Sequence, residues 1–474
     1  MGTGMSSQIS RIAFKELYTP FIGGGYVSRS TTGAQIIPLT NPATGDKITD
    51  VISSSSEEVR QAVDYAQVAF ESGVWSNASI QQRSTVLSRL AVSLKSRVPE
   101  LAVLESLQTD FQAPFNHPLL IAIKKIAPAL AMGNSVIVKP SELAPISVLE
   151  FAQMALDAGV PSGVLQVLTG AGPTTGVELI SDPRIRKVDI TAGTKTGREI
   201  GRIVGENLGN YTAELGGKAP ILVFEDACIK AAVNGVAFAA FIASGQTCVS
   251  GTRLLVHSKV YDEFMAQFLE KTRNITNRIG NPLNYASSMG PVVSSRALSR
   301  IISMVSNRTS GTIVMGGERM SGKSPLDGFD LSQGYFYPPT VIENIDIRDE
   351  VWQEEIFGPV IVVKRFNHEQ EGVNLANANK YGLGAGIWTQ DLSRAHRVSA
   401  LIDSGIVWVN CHHRNDPSSP WGGMKESGIG RENGIEAFEC YSQSKSVIIN
   451  YASPEEIQEK EDWFADDGEE RRYG

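Results

Sequence analysis

An α/β fold built from two open, largely parallel sheets is the class this sequence predicts, and three observations predict it. The chain has 474 residues, more than one ordinary hydrophobic core holds, so two large domains are expected. Between Asn134 and Val223 short apolar runs alternate with helical patterns at the spacing of βαβ units. From about Asp226 to Ala437 a second alternation follows, its strands separated by glycine-rich loops.

The elements follow in order. Phe21 to Val27 and Thr40 to Asp46 read as short strands and turns, because their glycines and the Asn41-Pro42 step favour tight reversals. Ser56, with Glu57 and Glu58 behind it, opens a helix that carries Val59, Ala62, Val63, Ala66 and Phe70 on one face. A second helix is expected from about Ile80 to Leu107, interrupted near Pro99. Strands are then expected at Ser135–Val138, Val164–Leu168, Lys187–Thr191 and Pro220–Phe224, with helices at 144–156, 174–180 and 196–205 between them. In the second block the strands include Arg253–Val256, Val360–Val363 and Gly405–Val409. A last strand, Ser444–Asn450, precedes an acidic stretch from Glu455 to Glu470 that reads as a solvated tail.

Composition removes several classes. A net charge of -8 argues against non-specific nucleic-acid binding, which needs a basic footprint. No apolar run approaches about 18 residues and the start lacks a signal pattern, so neither a membrane span nor secretion is expected. The 4 cysteines, Cys228, Cys248, Cys411 and Cys440, are too sparse for a disulfide framework and offer no CxxC metal pair. A reducing, cytoplasmic setting fits them, with no metal centre.

Five segments could carry chemistry. Cys248 follows an apolar helical stretch and a Gly245-Gln246-Thr247 turn, which suits a nucleophilic thiol, although a lone cysteine is more often an inert buried side chain. Glu214 precedes Gly216-Gly217, so backbone can approach closely and leave a carboxylate poised as a base; a surface turn is the bland alternative. Asn116 stands between Pro114 and Pro118, either a pinned amide donor for an oxyanion or a turn residue. Lys139, Ser141 and Glu142 follow a strand, where open parallel sheets bind ligands, or else Ser141 and Glu142 cap a helix. Thr191-Ala192-Gly193-Thr194-Lys195-Thr196-Gly197 joins a strand to a helix N-terminus, the placement of a pyrophosphate site, without the GxGxxG pattern.

Taken in order, these segments together with Glu354-Glu355-Ile356-Phe357-Gly358-Pro359 and Pro420-Trp421-Gly422-Gly423-Met424-Lys425-Glu426-Ser427-Gly428 resemble the aldehyde dehydrogenase superfamily over about residues 20 to 450. The resemblance implies two open parallel α/β domains, a cofactor domain (1–217) and a catalytic domain (218–437). It also implies one remaining strand of a β oligomerisation arm (438–451), before a tail at 452–474. The implied reaction is oxidation of an aldehyde to its acid through a cysteine thioester, with NAD(P)+ as hydride acceptor. Cys248 would be the nucleophile, Asn116 and the Cys248 N–H the oxyanion donors, and Glu214 the base for thioester hydrolysis. Lys125 and Glu432 would pass the proton outward. Lys139, Ser141 and Glu142 would hold the adenosine ribose, Gly193 and Gly197 the pyrophosphate turn, Glu355 the nicotinamide ribose and Phe357 the nicotinamide. A carboxylate at Glu142 disfavours a 2′-phosphate by charge, so NAD is expected before NADP. Lys124, Trp408, His412, His413 and Trp421 fall where relatives line the aldehyde tunnel, which suits an aromatic or polar aldehyde.

Two departures accompany the match. Relatives carry Gly-Ser where this chain has Ala192-Gly193. After Thr109 the helix runs within a few residues into Ala113-Pro114-Phe115-Asn116, where relatives carry further helix, two arm strands and a cofactor-domain strand. The oligomerisation arm is then truncated and the homo-oligomer of relatives open to question. A catalytically impaired relative is the second hypothesis. A thiol hydrolase is a distant third, since no histidine stands in a hydrolase context.

Overall fold

The computed structural model describes residues 14–28, 33–109, 117–460 and 464, and the chain divides into two units, Met1–Tyr441 and Ser442–Gly474. The first unit is mixed α/β with open sheets and no barrel. Its largest sheet has seven strands in the order Thr312–Met315, Thr340–Glu343, Val360–Phe366, Gly251–His257, Ala219–Val223, Gly384–Trp388 and Ile406–Val409. All neighbours run parallel except at the Thr312–Met315 edge.

The reason is visible residue by residue. Ile221, Val223, Leu254, Val256, Ile361 and Val363 face one way, against the helices Ile229–Phe241 and Tyr261–Thr276. Their neighbours Leu222, Leu255, Val360 and Val362 face the other way, against Leu298, Ile301 and Met304 of the helix Ser295–Ser306 and against Val373 and Val398. A strand covered on both faces needs an unbroken apolar run, and these strands have one. Arg253 is the exception within the sheet. Buried at 1 % exposure, it donates to the carbonyls of Lys218, Leu375 and Ala376 and lies 5.3 Å from the Trp352 ring. It thereby ties the C-terminal end of the helix Glu369–Asn377 to the sheet.

The region expected to form the second sheet is in two pieces. Val136–Val138 and Leu165–Val167 pair in parallel and continue through Phe21–Ile22 to Gly25–Tyr26. Lys187–Thr191 and Asn210–Glu214 form the other parallel pair, extended by Gly428–Ile429. Among the described residues no ladder joins Val136–Val138 to Lys187–Thr191. Both strands are half-buried along their whole length, unlike the central strands of the large sheet. The helix Pro118–Ala131 packs on the first piece and sends Lys125 to Asp189 on the second, 2.8 Å away.

Two expectations need correction. The helix from Ile80 runs unbroken to Gln108, through Pro99. Leu90 before the proline and Leu101 and Leu104 after it lie in one core cluster, and that packing holds the two halves as one helix against the lost hydrogen bond. Residues 444–450, expected as a strand, pair with no other strand among the described residues, because an extended segment becomes a strand only against a partner. In this second unit Val447, Ile448 and Tyr451 are exposed, and Pro454–Lys460 is helical. Among the described residues, no helix is long and apolar enough to cross a membrane.

Candidate active site

Cys248 sits between the helix Ile229–Phe241 and the strand Gly251–His257. The chain reverses there through Ala243, Ser244 and Gly245, all at positive φ. Gly245 cannot be replaced without collision, since a Cβ would lie 2.3 Å from the Gly358 oxygen. Gln246, buried, accepts from the Val293 N–H and fixes the turn. Two histidines then hold the residues on either side of the thiol. His413 Nε2 lies 3.2 Å from Thr247 Oγ1, and His412 Nε2 donates to the Val249 carbonyl at 2.9 Å. Burial holds both rings neutral, at about 4 for His412 and about 3 for His413, so this clamp does not change with pH in the working range.

His412, expected as a tunnel wall, thus has its polar edge on the Cys248 turn while its ring rests on Trp408, centroids 4.6 Å apart. The expected result for His412→Phe, which keeps a ring against Trp408 but loses the donor, is a fall in kcat of about tenfold with KM little changed. Iodoacetamide should label Cys248 at an altered rate in the same variant. Unchanged kcat and labelling would remove this role from His412.

Glu214 ends the strand Asn210–Glu214 and is pinned from outside. Gly428 pairs with it, Leu215 N–H donates to the Ser427 carbonyl at 2.9 Å, and Ser427 Oγ donates to the Gly216 carbonyl at 2.6 Å. A Cβ on Gly217 would stand 2.1 Å from the Cys248 carbonyl oxygen, so the glycine brings the two segments together. Both carboxyl oxygens of Glu214 are buried and have no hydrogen-bond partner among the described residues. Burial first, and then the charge of Glu432, push the group up to about 8.

Beside it lies a buried ion cluster. Lys125 donates to Glu432 and to Asp189, Lys124 lies 3.0 Å from the other Glu432 oxygen, and Tyr441 donates to the second Asp189 oxygen at 2.7 Å. Burial alone would raise the Glu432 carboxyl, but Lys125 and Lys124 hold it below its ordinary value. Glu432 is itself placed by a reciprocal backbone pair with Trp421. Cys248 is half-buried. Burial, then Glu214 and Glu355, push its thiol up, and Lys124 opposes them.

Of the residues expected at the cofactor, Lys139, Ser141, Glu142 and Gly193 follow the strands Val136–Val138 and Lys187–Thr191, and Glu355 and Phe357 precede Val360–Phe366. Lys139 Nζ donates to the Pro140 and Gly170 carbonyls at 2.8 and 3.0 Å, so it spans the loops after two neighbouring strands. Glu142 stands 3.9 Å from it. Ser141 does not cap a helix: its Oγ accepts from Leu143 N–H, and the helix begins only at Ile146. Gly193 is the N-cap of the helix Thr194–Glu206, with open space where a Cβ would be, and Gly197 lets that helix pack against Leu215. Glu355 accepts from the Gly217 N–H at 2.9 Å, and burial raises its carboxyl to about 7. Phe357 follows at φ 58. These donors and acceptors fit a dinucleotide: a helix N-terminus without a covering side chain, an amine at one end and a carboxylate near Cys248 at the other.

Asn116 lies outside the described residues. Sequence pattern does not single out Asp189 and Tyr441, although a carboxylate inside the apolar Val188-Asp189-Ile190 strand is a signal. His413, expected as tunnel lining, tethers Thr247. Lys218, at the end of the Glu214–Lys218 segment, is buried, and burial and then Arg253 push its amine down to about 7.

The chain is similar to known proteins. The family model described as "Aldehyde dehydrogenase family" matches residues 27–110 and 111–447. A phenylacetaldehyde dehydrogenase of Pseudomonas fluorescens is 34% identical, over 91% of this chain and 95% of that protein. A betaine aldehyde dehydrogenase of Brucella anthropi is 35% identical, over 90% and 96%. Among solved structures, a P. syringae indole-3-acetaldehyde dehydrogenase in complex with NAD+ and IAA superposes with a TM-score of 0.86 at 29% identity, over 93% of this chain and 98% of that one. The NAD+ complex of an aldehyde dehydrogenase from Bacillus cereus gives 0.87 at 30% identity, over 94% and 99%.

Proposed function

The chain belongs to the aldehyde dehydrogenase family, and from that premise we propose that it oxidises an aromatic or polar aldehyde through a covalent intermediate on Cys248. The observation that carries this reading is the meeting of a half-buried thiol with an enclosed, hydrogen-bond-free carboxyl at Glu214, across the Gly217 approach. The enzyme is an NAD(P)-dependent aldehyde dehydrogenase, and NAD is its cofactor. When bound, NAD+ supplies the hydride acceptor.

The protein's own groups do the rest. The Cys248 thiol gives its proton to solvent and its sulfur adds to the aldehyde carbon, and the Cys248 N–H, with Asn116, steadies the oxyanion. Loss of hydride from that adduct leaves a thioester. Glu214 takes a proton from water as the water oxygen attacks the thioester carbon; the C–S bond breaks, the acid leaves and the thiolate returns. Lys125 and Glu432 carry the proton on from Glu214. Lys139, Ser141 and Glu142 would hold the adenosine ribose, the Gly193 turn the pyrophosphate, and Glu355 with Phe357 the nicotinamide end.

A second reading, a catalytically impaired relative, is favoured by one observation: among the described residues the cofactor-side strands form two pieces with no ladder between them. NADH formation at 340 nm with NAD+ and a mixed aldehyde panel separates the two. Turnover supports the first reading. Cooperative unfolding without turnover supports the second.

A further inference from the structure

We propose that Lys124 sets the charge class of the aldehyde: the site takes a neutral aromatic tail and turns away a tail carrying a fixed positive charge, such as a quaternary ammonium. The inference rests on Cys248 being the reacting atom.

Cys248 packs with Val249, Leu383, Trp408 and Trp421 in one small cluster, so the surface nearest the sulfur is rich in indole. Trp408 and Trp421 meet edge to face, centroids 5.9 Å apart at 64°. Indole faces are the best side-chain receptors for an ammonium group, and such a wall would ordinarily suit a cationic tail. Here both indoles already carry neighbours. Lys124 Nζ stands 4.4 Å from the centroid of Trp421, and the imidazoles of His412 and His413 lie 4.6 and 6.3 Å from Trp408.

Lys124 cannot readily leave. Its side chain is 12% exposed, and its amine lies 3.0 Å from Glu432, itself 5% exposed. The positive charge reaches the reaction centre, since it opposes the upward shifts of both the Cys248 thiol and the Glu214 carboxyl. Each carboxylate of the ion cluster already faces a lysine. Glu432 is shared by Lys124 and Lys125, and Asp189 is taken by Lys125 and Tyr441. Glu214, raised to about 8, is mostly uncharged at neutral pH. A quaternary ammonium would meet a like charge already seated on the Trp421 face. A neutral aryl ring would meet indole edges at no electrostatic cost.

The test is the ratio of kcat/KM for phenylacetaldehyde to that for betaine aldehyde, in the wild-type enzyme, Lys124→Gln and Lys124→Arg. This ratio includes only steps up to the first irreversible one, so an altered thioester hydrolysis does not enter it. The wild type should favour phenylacetaldehyde by about 100-fold, and Lys124→Gln should narrow the preference by about tenfold, mainly through KM for betaine aldehyde. Lys124→Arg, which keeps the charge, should retain it. Comparable wild-type rates for the two aldehydes, or a ratio unmoved in Lys124→Gln, would overturn the proposal. If no aldehyde turns over, the reading of Cys248 fails, and tail selection is read separately by tryptophan fluorescence. Titration with phenylacetate should then quench and glycine betaine should not; equal binding of both would sink the inference on its own. Should Lys124→Gln not fold, the wild-type ratio and this titration decide.

Discussion

Cys248→Ala eliminates aldehyde oxidation, reducing NADH formation by at least about 10⁴-fold, because no other group near the turn can form the covalent adduct. The remaining cysteines cannot substitute. Cys228 is exposed at the start of the helix Ile229–Phe241, and Cys440 bonds to the Ala437 carbonyl. Cys411 packs against the Trp408 cluster but lacks the turn that presents Cys248. The substitution removes one sulfur from a half-buried position, so the thermal midpoint should stay close to that of the wild type. NAD+ binding should persist, since Lys139, Gly193 and Glu355 are untouched. Activity retained in Cys248→Ala would refute thioester catalysis for this chain. Activity lost together with NAD+ binding would instead show that the substitution disturbs the Gly217 approach.

How far the sequence alone reaches can be judged from particular residues. The strands Ala219–Val223, Gly251–His257 and Val360–Phe366 are legible because burial on both faces demands continuous apolar runs. The Cys248 turn and the Gly216-Gly217 step are legible because glycine marks backbone that must approach closely or adopt positive φ. Less legible is what depends on partners far along the chain. Pro99 reads as a break, and only the shared core of Leu90, Leu101 and Leu104 shows why the helix continues. Residues 444–450 carry strand-forming side chains, yet a ladder needs a neighbour that the sequence pattern does not supply. His412 reads as a wall of the tunnel until the Val249 carbonyl, 163 residues away, is found at its Nε2. Asp189 is 64 residues from Lys125 and 252 from Tyr441. Local periodicity has no means of announcing such a pair.

Glu214→Gln should leave the first half of the reaction standing and stop the second. The amide has nearly the carboxyl's shape and keeps the strand end and the Gly428 pairing, but it cannot accept the proton of water. Steady-state turnover should fall by about 10²- to 10⁴-fold, while a rapid burst of NADH, close to one per active site, marks a thioester that no longer hydrolyses. Loss of both burst and turnover would assign Glu214 to the earlier step instead. The pH dependence follows from the raised carboxyl. Glu214 works as a base only when deprotonated, so the hydrolysis rate should be low at pH 6 and rise with a midpoint near 8. Glu432→Gln provides the internal check. It removes the neighbouring negative charge that raises Glu214, and it releases Lys124 and Lys125, which both lower it. The two changes act in the same direction, so the rising limb should move to lower pH. A limb that stays in place would mean that a different group controls it. That result would separate the proton acceptor from Glu214 even if Glu214→Gln were inactive.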